Sequence, residues 1–166
     1  MSSVPPGHLA RALSSLQEVR LESTYVTEEQ VACATTCTSL QASSLMVALA
    51  GASSLRVLDL GQNRLAGLPD LPFSMVVSRI PELNLANCRL SGGQARALFG
   101  QLSESSAVTS FKVSDNDLSS VPANIFAKAA NSMAEVDLSN CCLSIYQVGI
   151  LQLGQLATPR ASTCSP

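Results

Sequence analysis

The chain predicts an α/β solenoid, a curved horseshoe segment with parallel strands on the concave side and helices on the convex side, in about five repeats. Three observations carry that prediction. A frame of apolar residues spaced L-x-x-L-x-L-x-x-N/C-x-L occurs four times in phase. The apolar period inside each unit changes from two to three and four, which is the change from strand to helix. The frames also alternate in length, so that a shift of 53 superimposes positions well beyond the leucines.

Taken in order, the frames are a weaker opening copy, Leu16-Val19-Leu21-Thr24-Val26, and then Leu55-Leu58-Leu60-Asn63-Leu65 and Ile80-Leu83-Leu85-Cys88-Leu90. Val108-Phe111-Val113-Asn116-Leu118 and Met133-Val136-Leu138-Cys141-Leu143 complete the series. From Leu55 onward the frame starts, at Ile80, Val108 and Met133, follow one another at spacings of 25, 28 and 25. The 53-residue pair places Leu68-Pro69 on Val121-Pro122, Phe73 on Phe126, Glu82 on Glu135, Cys88 on Cys141 and Gln94 on Gln147. The opening segment joins the series with a shift of 117, so its pair is too long by eleven. Matches resume at Gln41-Ala42, which places an insertion at about 31–40. Eleven residues are about three helical turns, so the insertion either lengthens a helix or, given Thr35, Thr36 and Thr38, loops out.

Leu58 and Leu60 send their side chains to one face of a short strand, while Ala95, Leu98 and Leu102 have the spacing of a helix packed behind it. The segment Leu68 to Arg79 departs from this pattern. It holds Pro69 and Pro72 where its equivalent reads as a helix, and an interior proline costs about 3 kcal/mol, so a degenerate unit is expected there. Residues 1–157 are read as one domain and 158–166 as a disordered tail rich in Pro, Ser and Thr.

The frame resembles the leucine-rich-repeat superfamily, and helices in every unit resemble its ribonuclease-inhibitor-like subclass. Thr24, Asn63, Cys88, Asn116 and Cys141 sit where the chain leaves each strand. A side-chain amide, hydroxyl or thiol at that turn can satisfy backbone groups from inside the stack, and the resemblance assigns these positions to the structural ladder.

Composition narrows the function. With 46% hydrophobic and 13% charged residues the chain is suited to a packed core, and a net charge of −2 without a basic run gives nucleic acid no footprint. No apolar run reaches the ~20 residues that span a bilayer, and the N-terminus lacks the apolar core of a secretory signal. The six cysteines show no regular pairing, which points to a reducing, cytoplasmic compartment. Phosphate-loop, nucleophile-elbow and zinc motifs are missing, and His8 is the single histidine, so no enzyme activity, cofactor, metal or small-molecule substrate is expected. Cys33 and Cys37 lack further ligands, and Cys164 misses the prenylation position.

The chemistry expected to matter lies on the strand face turned away from the helices. Its candidate binding residues are Glu18, Arg20, Glu22, Asp59, Glu82, Asn84, Lys112, Asp115, Glu135 and Asp137. Four interleaved positions per frame hold seven acidic and two basic residues, a net of −5 against −2 for the whole chain. Such a face suits a protein partner with a basic surface. It holds no aromatic anchor, which points to a low-affinity or transient contact. Two other readings compete: a GTPase-activating or otherwise enzyme-regulating solenoid using Arg64 or Arg89, and a truncated fragment of a longer array without independent function. Solenoid ends without visible caps also leave room for end-to-end association.

Overall fold

A computed structural model describes residues 16–22, 49–66, 68 and 70–153. Thr24, the insertion at 31–40, the tail at 158–166, His8, Cys33, Cys37 and Cys164 lie outside the described residues. Five strands of three residues form one parallel sheet in chain order: β1 (Glu18–Arg20), β2 (Val57–Asp59), β3 (Glu82–Asn84), β4 (Ser110–Lys112) and β5 (Glu135–Asp137). Four helices follow strands β2 to β5: α1 (Asp70–Val77), α2 (Gly92–Glu104), α3 (Ala123–Asn131) and α4 (Ile145–Leu153). Each parallel neighbour is reached by a crossover, so strands share one face and helices stack on the other. The result is the α/β solenoid of parallel strands and stacked helices expected from the frame.

The register is regular. Glu18, Val57, Glu82, Ser110 and Glu135 stand side by side, as do Arg20, Asp59, Asn84, Lys112 and Asp137. Numbering between partner positions rises by 39 from β1 to β2, against 25, 28 and 25 for the later pairs. The first crossover thus carries the excess of eleven over the longer of the later types, and strand pairing is unaffected.

Every frame position after β1 serves the core. Leu58, Leu60, Leu83, Leu85, Phe111, Val113 and Leu138 are buried between sheet and helices. Helix α2 adds Ala95, Leu98, Phe99 and Leu102, the i, i+3, i+4, i+7 face that its spacing requires. Phe99 stacks on Phe126 with ring centroids 5.3 Å apart and meets Phe111 at 5.9 Å, so one ring joins α2, α3 and β4. Fully buried aromatics of this kind add about 0.5–1.5 kcal/mol per pair beyond their area.

One expectation fails. Pro69 lies outside the described residues, but the segment with Pro72 is not degenerate, because Asp70–Val77 is helical and Phe73, Val76 and Val77 are buried in it. Pro72 is the third residue of α1. The first four N–H groups of a helix have no intrahelical acceptor, so proline there forfeits no hydrogen bond, and its fixed φ suits the first turn.

Candidate functional site

The candidate site is the solvent-facing side of the sheet, and its geometry begins at the turns that end each strand. Asn63 Nδ2 donates to the carbonyls of Leu21, Leu60 and Gly61 at 2.6, 2.9 and 3.2 Å. Asn116 Nδ2 repeats this with Leu85, Val113 and Ser114 at 2.8, 2.9 and 3.1 Å, while its Oδ1 accepts the N–H groups of Cys88 and Leu90 at 3.2 Å. Cys88 Sγ donates to Leu60 O at 3.1 Å and Cys141 Sγ to Val113 O at 3.2 Å. Each side chain therefore reaches back to the preceding repeat. Burial pushes both thiols up to about 12 from an ordinary 9.0, so they remain protonated donors.

The two turn types differ in backbone as well. Gln62 and Asp115 take a left-handed φ of 59° and 58° in the asparagine repeats. The cysteine repeats need two such residues each, Asn87 and Arg89 at 51° and 50°, Asn140 and Cys142 at 56° and 50°. The second reversal accompanies a cysteine carbonyl that accepts Leu65 N–H in one pair and Leu118 N–H in the other, at 2.9 and 3.1 Å. Cys142 is disulfide-bonded, although cysteine spacing showed no pairing, because spacing along a chain does not report approach in space. The cysteines thus give the cytoplasmic expectation no support.

A pair of ties appeared in the sequence only as a repeat match. Gln94 is fully buried, and its Nε2 donates to Leu65 O and Leu68 O at 2.6 and 2.9 Å. Gln147 makes the equivalent bonds to Leu118 O and Val121 O at 3.0 and 2.9 Å. The same side chains close reciprocal caps with Ser91 and Ser144 at the starts of α2 and α4. The acceptors lie 26 to 29 residues back, beyond any local motif.

With the turns held this way, the strand face presents two rows. The first row is Glu18, Val57, Glu82, Ser110, Glu135, and the second is Arg20, Asp59, Asn84, Lys112, Asp137. Charge separates between them. The first row holds three carboxylates and no cation, while the second balances two carboxylates against two cations. Adjacent strands are about 4.8 Å apart, so Glu82 and Glu135 stand roughly 10 Å apart with Ser110 between them.

Engagement differs along the rows. Asp59, Asn84 and Asp137 accept the backbone N–H two residues on, at 2.9, 3.0 and 3.1 Å, so their carbonyl or carboxylate oxygens also shape the turn. Glu18 pairs with exposed Arg20, which raises the guanidinium pKa through that hydrogen bond and charge. Glu22 accepts an amide hydrogen bond from Gln62 at 2.7 Å. Asp115 lies at the left-handed turn beyond β4, not on the strand, and accepts from Asn140 at 3.0 Å. Glu135 accepts from Ser110 at 3.3 Å. Among the described residues the side chains of Glu82 and Lys112 form no hydrogen bond or ion pair.

These residues border a shallow depression of about 240 Å³ lined by Arg20, Asp59, Glu82, Asn84, Ser110, Lys112 and Glu135, together with Val57, Leu58 and Leu83. Arg64 and Arg89 stand beyond the strand ends, half-buried and exposed respectively. Among the described residues no group of three or more His, Cys, Asp or Glu could hold a metal ion, and no helix is long and apolar enough to cross a membrane.

The Leucine Rich Repeat family model matches residues 54–75, which run from the end of the first crossover through β2 and the asparagine turn into α1. That match, five parallel strands in constant register and the recurring turn ladder support membership of the chain in the leucine-rich-repeat superfamily. Comparison with curated proteins and with solved structures gave no match.

Proposed function

We infer that the protein is a non-catalytic interaction module of the ribonuclease-inhibitor-like type, and that it holds a protein partner with a basic surface against the strand face. The subclass is favoured by a helix in each unit from β2 onward and by the 53-residue pairing of the units. The observation that carries the functional reading is the first row. Its three glutamates recur on alternate strands at roughly 10 Å intervals, and strands hydrogen-bonded in one register hold them without further cost in backbone order. A partner that places lysines or arginines at that interval meets all three at once. The second row, of mixed sign, favours one orientation over the reverse.

The test is affinity purification from the native source with the full chain and with its Glu82→Lys/Glu135→Lys variant, followed by mass spectrometry. This exchange turns the net charge of the row from −3 to +1. Partners of the native chain should be lost from the variant and should elute at low added salt, because exposed charges are screened within about 8–10 Å. Retention of every partner by a normally folded variant removes the strand face as the binding site.

A further inference from the structure

On the strand face, the charged side chains left unengaged gather between β3 and β5. At β1 the charges satisfy each other, because Glu18 and Arg20, two residues apart on one strand, form an ion pair. Glu82 and Lys112 are exposed and form no hydrogen bond or ion pair among the described residues. Glu135 is exposed as well, and accepts the Ser110 hydroxyl at 3.3 Å. Asn84 and Asp137, the neighbours of Lys112 in the second row, each turn an oxygen toward their own turns. Glu82, Ser110, Lys112 and Glu135 all line the same depression. Its available groups therefore carry both signs.

The strand register sets how they are laid out. Ser110 stands between Glu82 and Glu135 in the first row, and its short side chain leaves a gap between the two carboxylates. A guanidinium suits that gap, since its planar fork can donate to a carboxylate on each side through charge-assisted bonds of about 2.7–2.9 Å. Lys112 lies two residues further along β4 on the same face, about 6.5–7 Å from Ser110. The group that meets it must be an anion.

We propose that the depression recognises an extended segment of a protein partner that carries an arginine and, two residues away, an aspartate or glutamate. The arginine enters between Glu82 and Glu135, and the carboxylate meets Lys112. Side chains two apart in an extended chain lie on one side about 6.5–7 Å from each other, which is the interval from Ser110 to Lys112. This rests on the strand face being the binding surface, and it narrows what binds there. A segment basic at both positions is disfavoured, because its second cation would face Lys112. Lys112 is thus the residue that separates a mixed-charge segment from a uniformly basic one.

The test titrates the full chain with two capped heptapeptides of glycine and serine that carry arginine at the third position and either glutamate or arginine at the fifth. Titrations run at low salt, where exposed charges are screened least, and are followed by the amide NMR shifts of Glu82, Ser110, Lys112 and Glu135. The native chain should bind the arginine–glutamate peptide about fivefold or more tightly than the arginine–arginine peptide. Lys112→Gln should remove that preference, and Lys112→Glu should reverse it. Equal or tighter binding of the arginine–arginine peptide by the native chain overturns the proposal while leaving an acidic binding face in place. A preference unchanged in folded Lys112→Gln overturns it too. No shift at these four amides with either peptide at millimolar concentration removes both the proposal and the reading on which it rests.

Discussion

Replacing Gln94 with methionine tests whether buried side-chain ties between repeats hold the stack together. Methionine keeps the length of the side chain and removes its donors and acceptor. Two carbonyls then lose their amide donor, and Ser91 N–H loses its acceptor. Leu65 O retains the N–H of Leu68 at 3.0 Å, but Leu68, 7% exposed, is left with a largely unpaired carbonyl. At about 1 kcal/mol per lost bond, with the orphaned carbonyl at the upper end of that range, the expected loss is about 3 kcal/mol. In urea unfolding followed by circular dichroism, this lowers the midpoint by about 1–2 M for a slope of about 2 kcal/mol/M. A second variant, Gln94→Glu, adds a pH signature. Its carboxylate would face two carbonyl oxygens, so folding favours the protonated form and raises its pKa above the unfolded value of about 4.3. Stability contributed by such a group is present below the unfolded value and lost as pH rises through the folded one, so the deficit of Gln94→Glu grows between about pH 4 and 7. Gln94→Met shows no such trend. A methionine variant that loses no more than about 0.5 kcal/mol, the range of an ordinary surface substitution, refutes the reasoning. A pH-independent deficit in the glutamate variant refutes it equally.

Asn116→Ala removes donors to three carbonyls and the acceptor for two N–H groups, and should cost about 4 kcal/mol in the same urea assay, more than Gln94→Met. Cys88 and Cys141, with thiols pushed up to about 12, should resist alkylation at pH 8 until the chain unfolds, as read by mass-mapped iodoacetamide labelling. Because their folded pKa values are raised, the stability they contribute is intact below the ordinary thiol value and declines as pH climbs from about 9 toward 12. Gly100→Ala should raise stability by about 0.5–1 kcal/mol, since the glycine lies inside α2 and an added Cβ meets nothing within 4 Å. An unchanged or lower thermal midpoint for Gly100→Ala counts against a simple gain in helix propensity.

The leucine frame was sufficient to place the sheet, because its period of two and the turn residue after it are local properties of each strand. Pro72 misled because the cost of a proline depends on its position within the helix, and the start of α1 at Asp70 was not marked by a serine or threonine cap. Gln94 and Gln147 were visible only as equal letters one repeat pair apart, since their acceptors belong to the preceding unit. At the strand face, spacing identified which residues alternate with the leucines, but it did not distinguish Asp59 and Asp137, which bond their own turns, from Glu82, whose side chain bonds nothing among the described residues. Asp115 has the parity of the buried Phe111 and Val113 and is exposed because it falls on a left-handed turn, a conformation that asparagine and aspartate tolerate better than most residues.

The alternation of asparagine and cysteine raises a question of balance, because in a solenoid stability is close to a sum over neighbouring units. Where an asparagine unit follows a cysteine unit, Asn116 makes three bonds across the boundary, to Leu85 O, Cys88 N–H and Leu90 N–H. Where a cysteine unit follows an asparagine unit, Cys88 gives a single thiol bond of weaker kind, to Leu60 O. Gln94 supplies two more at that boundary, to Leu65 O and Leu68 O, and the turned carbonyl of Cys88 takes Leu65 N–H. The glutamine thus compensates for the thiol, and among the described units it occurs only in those of the cysteine type. Boundaries of comparable strength keep one unit from opening ahead of its neighbours, so the strands stay in register. The spacing of Glu18, Glu82 and Glu135 depends on that register, which makes the buried ladder a condition for any recognition by the face outside it.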